Sequence, residues 1–165
     1  MIIKECCNHS NTARKANNMN EIINNWDLIL NTFKNECDIQ NLSFTTFIKP
    51  LQVISVSDNE ITLLSDTQMS ANYVEKRYLK FLEVTISEIM KKDYKLRIIS
   101  EDTLNELNNK FNQIDNGSFV KITFYKNGKY SEIKRRVTNI DYIKKKIQIN
   151  KEYNINICDI VSILI

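Results

Sequence analysis

Hydrophobic positions along the chain follow a helical period first and a strand period last. Ile22, Ile23, Trp26, Ile29, Leu30, Phe33 and Cys37 recur at three- and four-residue intervals, which is one stripe of an amphipathic helix. A break at 38–41 leads to a second, shorter helix with Asn41 or Ser43 as its N-cap and Phe44, Phe47 and Ile48 on its apolar face. Pro50, the only proline, lacks a backbone donor and stops that helix. The run Leu51-Gln52-Val53-Ile54-Ser55-Val56 then alternates and is rich in β-branched residues, predicting a strand. Ser57-Asp58-Asn59 supplies turn chemistry and Glu60 to Leu64 the returning strand. Asp66 or Thr67 caps one long helix carrying Met69, Tyr73, Val74, Tyr78, Phe81, Leu82, Ile86, Ile89 and Met90 at helical spacing, ended by Lys91-Lys92. Tyr94 to Ile99 alternates cleanly and predicts a third strand paired with the hairpin.

Beyond Gly117 the period is two for the rest of the chain. Strands are expected at 119–125, 130–140, 146–150, 153–157 and 161–165, the first two joined by a type I′ turn at Asn127-Gly128. Five short strands must hide their edges, and a small Sm/SH3-like β-barrel does so economically. Between the two regimes, residues 101–116 place Leu104, Leu107, Phe111 and Ile114 at helical intervals, predicting a short connecting helix. Residues 1–18 are polar, Asn-rich and aperiodic; they read as a disordered leader, with Met19 as the start of a shorter product. The fold class is therefore α+β, divided as leader 1–18, an ααββαβ domain at 19–100, a helical linker at 101–116 and an all-β domain at 117–165.

Composition changes this picture little: 42% hydrophobic and 26% charged residues are ordinary for a globular protein. No apolar run approaches the roughly 20 residues that cross a bilayer, and the N-terminus lacks a signal-peptide core, so a cytoplasmic protein without a membrane partner is expected. Cys6, Cys7, Cys37 and Cys158 are expected as free thiols. Cys6-Cys7-Asn8-His9 has no CxxC spacing and no second cluster, so no metal is expected. Charge is more informative. Ten Lys/Arg against four Asp/Glu from Phe119 onward give +6, so a total of +3 leaves −3 for residues 1–118. The single histidine lies in the leader, and there is no Gly-rich phosphate loop and no GxSxG; neither enzymatic activity nor a cofactor is expected.

Trp26 near the start of the first helix, an aromatic-rich second helix ending in Phe47-Ile48-Lys49-Pro50-Leu51, a β-hairpin, and a long helix carrying Tyr78-Leu79 together resemble the N-terminal domain of the bacterial replication initiator DnaA. The resemblance covers about 19–100. It implies a KH-like fold, no RNA binding since the GxxG loop of true KH domains is absent, and a role in self-association and docking of the replicative helicase and regulators. The tail resembles YolD-like proteins through Ile122-Thr-Phe-Tyr-Lys-Asn-Gly128, Val137-Thr-Asn-Ile-Asp141, Lys144-Lys-Lys-Ile-Gln-Ile149 and Ile157-Cys-Asp-Ile-Val-Ser-Ile163; Arg136 stands where that family usually has glycine.

On this resemblance the partner-binding residues are Trp26, Ser43, Phe47 and Met69. Trp26 takes the self-association position, and reads equally as a core tryptophan. Ser43 stands where the initiator domain often has an acidic helicase contact, and Met69 where it often has phenylalanine. Tyr73 and Tyr78 read as packing residues. Lys134-Arg135-Arg136 and Lys144-Lys145-Lys146 lie on consecutive strands and are expected to converge on one edge, either as a phosphate-tracking patch or as charges that keep a strand edge from aggregating. Two functions follow. One is a non-enzymatic interaction module that binds the initiator, the helicase or their regulators, with homodimerisation through the N-terminal domain. The alternative is a nucleic-acid-binding adaptor that uses the basic barrel.

Overall fold

A computed structural model describes residues 9–57, 59–126, 129–150 and 153–165, with side chains from Asn17 onward within those ranges. The described residues begin with α1 (His9–Asn24) and α2 (Trp26–Glu36), followed by a short α3 (Asn41–Ser43) that runs into a π-helical turn, Phe44–Ile48. Next come β1 (Gln52–Val56), β2 (Glu60–Ser65), α4 (Gln68–Arg77), α5 (Leu79–Met90) and β3 (Lys95–Ser100). The ααββαβ order is therefore present, with two corrections. The leader expected without order is helical from His9 on: this stretch has no glycine or proline, and α1 carries Met19 and Ile22 to the core. The single helices expected at 20–37 and 67–92 are each broken, at Asn25 and at Tyr78 (φ −124°, ψ −13°), so each half turns its own apolar residues inward.

Strands β1, β2 and β3 form one sheet in that order, β1 antiparallel and β3 parallel to β2. Its alternation sorts residues by face. Ile61, Leu63, Leu96 and Ile98 meet Ile22, Ile29, Phe33, Phe44, Ile48, Val74, Leu82 and Ile86 from the helices in one core. Pro50 sits in the turn that leads from the π-helical turn into β1, as its missing donor requires.

The rest of the chain is α6 (Glu101–Phe111), β4 (Phe119–Lys126), β5 (Lys129–Arg136), β6 (Asn139–Asp141), β7 (Lys146–Ile149), β8 (Tyr153–Asn156), a 3-10 turn (Ile157–Asp159) and β9 (Ile160–Leu164). The strand expected at 130–140 is two strands. Thr138 donates to Gln148 O at 2.9 Å, so the chain leaves the β4 ladder and joins that of β7. Two three-stranded sheets result, β5-β4-β9 and β6-β7-β8. Val120, Ile122, Phe124, Ile133, Val137, Ile140, Ile147, Ile149, Ile155, Ile160 and Ile163 from both sheets share a second core. Leu107, Phe111 and Ile114 complete it, so the segment expected as a linker is a wall of that core. Gly117 turns the chain into β4 at φ +92°, a conformation side chains disfavour, and donates to Val137 O at 2.8 Å. The turn expected at Asn127-Gly128 lies outside the described residues.

The two cores meet across β3. The face of the first sheet turned from its helices carries Thr62 and, on β3, Arg97 and Ile99; Thr62 and Ile99 are nonetheless buried. Arg97 donates from Nη1 to Cys158 O at 2.8 Å and from Nη2 to Ile160 O at 2.7 Å, binding the start of β9 to β3. On the outer edge of β3 the Leu96 N–H donates to Glu83 Oε1 on α5 at 3.0 Å, while Lys80 and Lys95 approach Glu83 Oε2 at 2.9 and 3.7 Å. Desolvation pushes the Glu83 carboxyl up, but the Lys80 hydrogen bond, the Leu96 N–H and the two lysine charges together hold it below its ordinary value. A depressed folded-state pKa gives stability that is complete above the ordinary glutamate value and lost as pH falls through the folded value. Urea titrations at descending pH should show that loss in the wild type, and it should be absent in Glu83→Gln, which should be less stable by about 1–3 kcal/mol at neutral pH.

Candidate functional site

Three of the four residues expected to bind a partner, Ser43, Phe47 and Met69, lie on α3, the π-helical turn and α4, which pack together. The π turn is closed by Lys49 N to Phe44 O at 2.9 Å, and it sends Phe44 and Ile48 into the core while leaving Phe47 half-buried. Opposite it, Thr67 caps α4 by accepting from Ser70 N at 3.2 Å, which fixes the helix that presents Tyr73. Phe47 and Tyr73 lie with ring centroids 4.2 Å apart. Tyr73 meets Tyr78 edge-on at 5.8 Å, and Tyr78 meets Phe33 at 5.9 Å. A row of four rings thus runs from the core to the surface, with the Arg77 guanidinium 4.9 Å from the Tyr73 centroid.

The side chains of Tyr78 and Ser43, followed by the Arg77 charge, lower the Tyr73 pKa against an opposing effect of burial. Burial, then the neighbouring Tyr73 hydroxyl, raises that of Tyr78. Ser43 and Phe47 therefore converge on Tyr73, and Met69 lies one turn before it on α4, largely exposed at 74%. Trp26 is anchored elsewhere. Half-buried at the first turn of α2, it donates from Nε1 to Leu51 O at 3.2 Å and so ties the helix to the residue after Pro50.

Beside Tyr78 lies a groove of about 480 Å³ lined by Glu36, Cys37, Tyr78, Phe81, Val84 and Thr85. Phe81 and Val84 are 58% and 55% exposed, so α5 is apolar on its outer side as well as on the side that buries Leu82 and Ile86. Phe81 was expected in the core stripe. The signal that places it outside is excess: 81 and 84 repeat at helical spacing next to a stripe already filled by 82 and 86. Burial, and the neighbouring Glu36 carboxylate, push the Cys37 thiol up, which disfavours the nucleophilic thiolate. Among the described residues no cluster of His, Cys, Asp and Glu is arranged to hold a metal ion; Cys6 and Cys7 lie outside them.

The basic triplets lie on two different sheets. In the β4–β5 register Lys134 and Arg136 share the outward side with Lys121, while Arg135, opposite Val120, has the inward parity. Lys144 and Lys145 occupy the turn before β7 in the other sheet, where Lys145 Nζ donates to Asn108 Oδ1 on α6 at 2.7 Å; Lys146 begins β7 opposite Asp141. The convergence expected from sequence fails because the chain changes sheets at Val137-Thr138. No helix is long and apolar enough to cross a membrane among the described residues.

Two family models match the chain: the DnaA N-terminal domain at residues 24–88 and YolD-like protein at 80–164. The second begins within α5, well before the tail at 117–165 on which that resemblance was read. The chromosomal replication initiator protein DnaA of Lachnoclostridium phytofermentans is 32% identical over 78 residues, 45% of this chain but only 17% of the initiator's length.

Proposed function

We propose that this chain, which belongs to the YolD-like protein family through residues 80–164, just over half its length, is a non-enzymatic protein-interaction module acting in the initiation of DNA replication. The similarity of residues 24–88 to the DnaA N-terminal domain supports that process. The partners are the initiator, the replicative helicase or their regulators, met in the cytoplasm, and a second copy of the chain is a further candidate. We take the N-terminal unit as KH-like, consistent with its ααββαβ order, and the C-terminal unit as a small Sm/SH3-like barrel, consistent with two sheets around one core.

One observation carries the reading: half-exposed Phe81 and Val84 border a groove also lined by Tyr78, whose ring meets Tyr73 and, through it, Phe47. Exposed aromatic and aliphatic anchors beside a preformed groove are where binding energy concentrates in protein interfaces. Calorimetric titration of the full chain with purified initiator and with purified replicative helicase tests it. Binding to at least one is expected, and Phe81→Asp with Val84→Asp should weaken it by about 2 kcal/mol or more, roughly thirtyfold. Binding to neither, or binding indifferent to that double substitution, overturns the reading. Sedimentation of Trp26→Ala tests the dimer separately.

A further inference from the structure

The outward face of sheet β5-β4-β9 is unlike an ordinary solvated sheet face. Alternation places Val120, Ile122 and Phe124 in the second core and leaves Phe119, Lys121, Thr123 and Tyr125 facing out, beside Tyr130, Glu132, Lys134 and Arg136 of β5. Phe119 is 51% exposed and Tyr130 67% exposed, so both rings offer a face to solvent. Lys121 stands directly opposite Lys134, a like-charge cross-strand pair that destabilises a sheet. Glu132 relieves it in part, at 3.0 Å from Lys121, and Lys134 leans over the Phe119 ring at 5.9 Å from its centroid. Arg136, opposite Phe119, donates to Gly117 O at 3.1 Å, which fixes its side chain near that ring. The face therefore keeps two features that weaken folding: exposed aromatics and apposed cations.

Both features serve one ligand. Unpaired bases stack on exposed rings, and their phosphates attract cations distributed between those rings. We infer that this face is a binding site for single-stranded nucleic acid, with Phe119 and Tyr130 as stacking platforms and Lys121, Lys134 and Arg136 as phosphate contacts. The platforms lie about 20 Å apart along the strands, six residue steps of the β4 ladder, with the cations between them or at the Phe119 end. Tyr125 and Tyr130 close the other end, ring to ring at 5.0 Å, near Glu60 and Glu83 of the N-terminal unit, so the phosphate track begins at Phe119 and stops at that boundary. A duplex keeps its base faces stacked inside and cannot use the rings. Lys144 and Lys145, in the other sheet, take no part.

Fluorescence anisotropy of the full chain with a labelled oligothymidylate of about ten nucleotides, and with a duplex of equal length, tests the site. About three phosphate contacts on a single strand predict affinity falling roughly fifteen- to twentyfold between about 50 and 200 mM salt. Lys134→Glu with Arg136→Gln should weaken binding about tenfold or more and flatten the salt dependence. Tyr130→Ser, at an exposed position, should weaken single-strand binding about fivefold or more while leaving the circular dichroism spectrum unchanged and lowering the melting temperature by no more than about 4 °C, the loss of its cross-strand contact with Tyr125. Lys144→Glu with Lys145→Glu should change it less than about twofold. No salt-sensitive binding, equal binding of the duplex, indifference to Tyr130→Ser, or loss confined to the Lys144 and Lys145 variant overturns the inference.

Discussion

Arg97→Met should lower the stability of the whole chain by about 2–4 kcal/mol and its melting temperature by about 5–15 °C. The side chain crosses from β3 to the second unit, where its two terminal nitrogens donate to Cys158 O and Ile160 O at 2.8 and 2.7 Å. Burial lowers its pKa from the ordinary value, but a guanidinium remains charged throughout the physiological range. Methionine fills a similar volume and offers no donor, so both carbonyls at the 3-10 turn and the start of β9 lose a partner. Arg97→Lys should recover little, because an ammonium is a point donor and cannot span two carbonyls as the planar fork does. Differential scanning calorimetry reads both effects: a displaced transition, and its separation into two as the cores melt independently. A single transition displaced by less than about 2 °C would show that Arg97 does not couple them.

The order of elements was legible because burial writes its own period. The helical stripe of α2, the strand alternation of β3 and β4, and the lone proline between helix and strand each follow from which side of an element meets the core. The breaks were not legible. At Asn25 the apolar stripe runs on uninterrupted through Trp26, and at Tyr78 an amphipathic ring suits either a helix interior or a kink. The change of sheet at Val137-Thr138 depends on a hydrogen bond to Gln148, ten residues away, which no local pattern encodes. The same reason undid the grouping of Lys134, Arg135 and Arg136 with Lys144 to Lys146. For the candidate site, family likeness pointed to Ser43 and Phe47, and the fold sets Phe47 against Tyr73, whereas the α5 groove was visible only as two apolar residues too many.

The overlap of the two family matches has a structural counterpart. Residues 80–88 belong to both, and they lie in α5, which buries Leu82 and Ile86 in the first core and holds β3 through Glu83. From β3 the Arg97 bonds continue to β9. One helix thus serves as a wall of the N-terminal unit and as the anchor of the strand to which the C-terminal unit is fastened. A partner seated on Phe81 and Val84, as proposed above, would press on that helix, giving the groove a physical route to the second unit.

Phe111→Ala should be the most damaging single substitution in the C-terminal unit, at about 3–5 kcal/mol. Phe111 is buried to 1% exposure within the second core and meets Tyr142 edge-on at 5.7 Å, while the Tyr142 hydroxyl donates to Ile114 O at 2.8 Å. These contacts make α6 and the turn after it part of the β unit. A fragment starting at 117 would lose Leu107, Phe111 and Ile114 together, exposing the apolar ends of both sheets, and should be unfolded or aggregated as judged by circular dichroism and sedimentation. A fragment starting at 101 keeps those three side chains and should fold, though less stably than the full chain, since it lacks Arg97. Cooperative melting of the 117–165 fragment would mean that α6 only decorates a self-sufficient barrel. Failure of both fragments would place the limiting contact at β3, where the YolD-like match already extends.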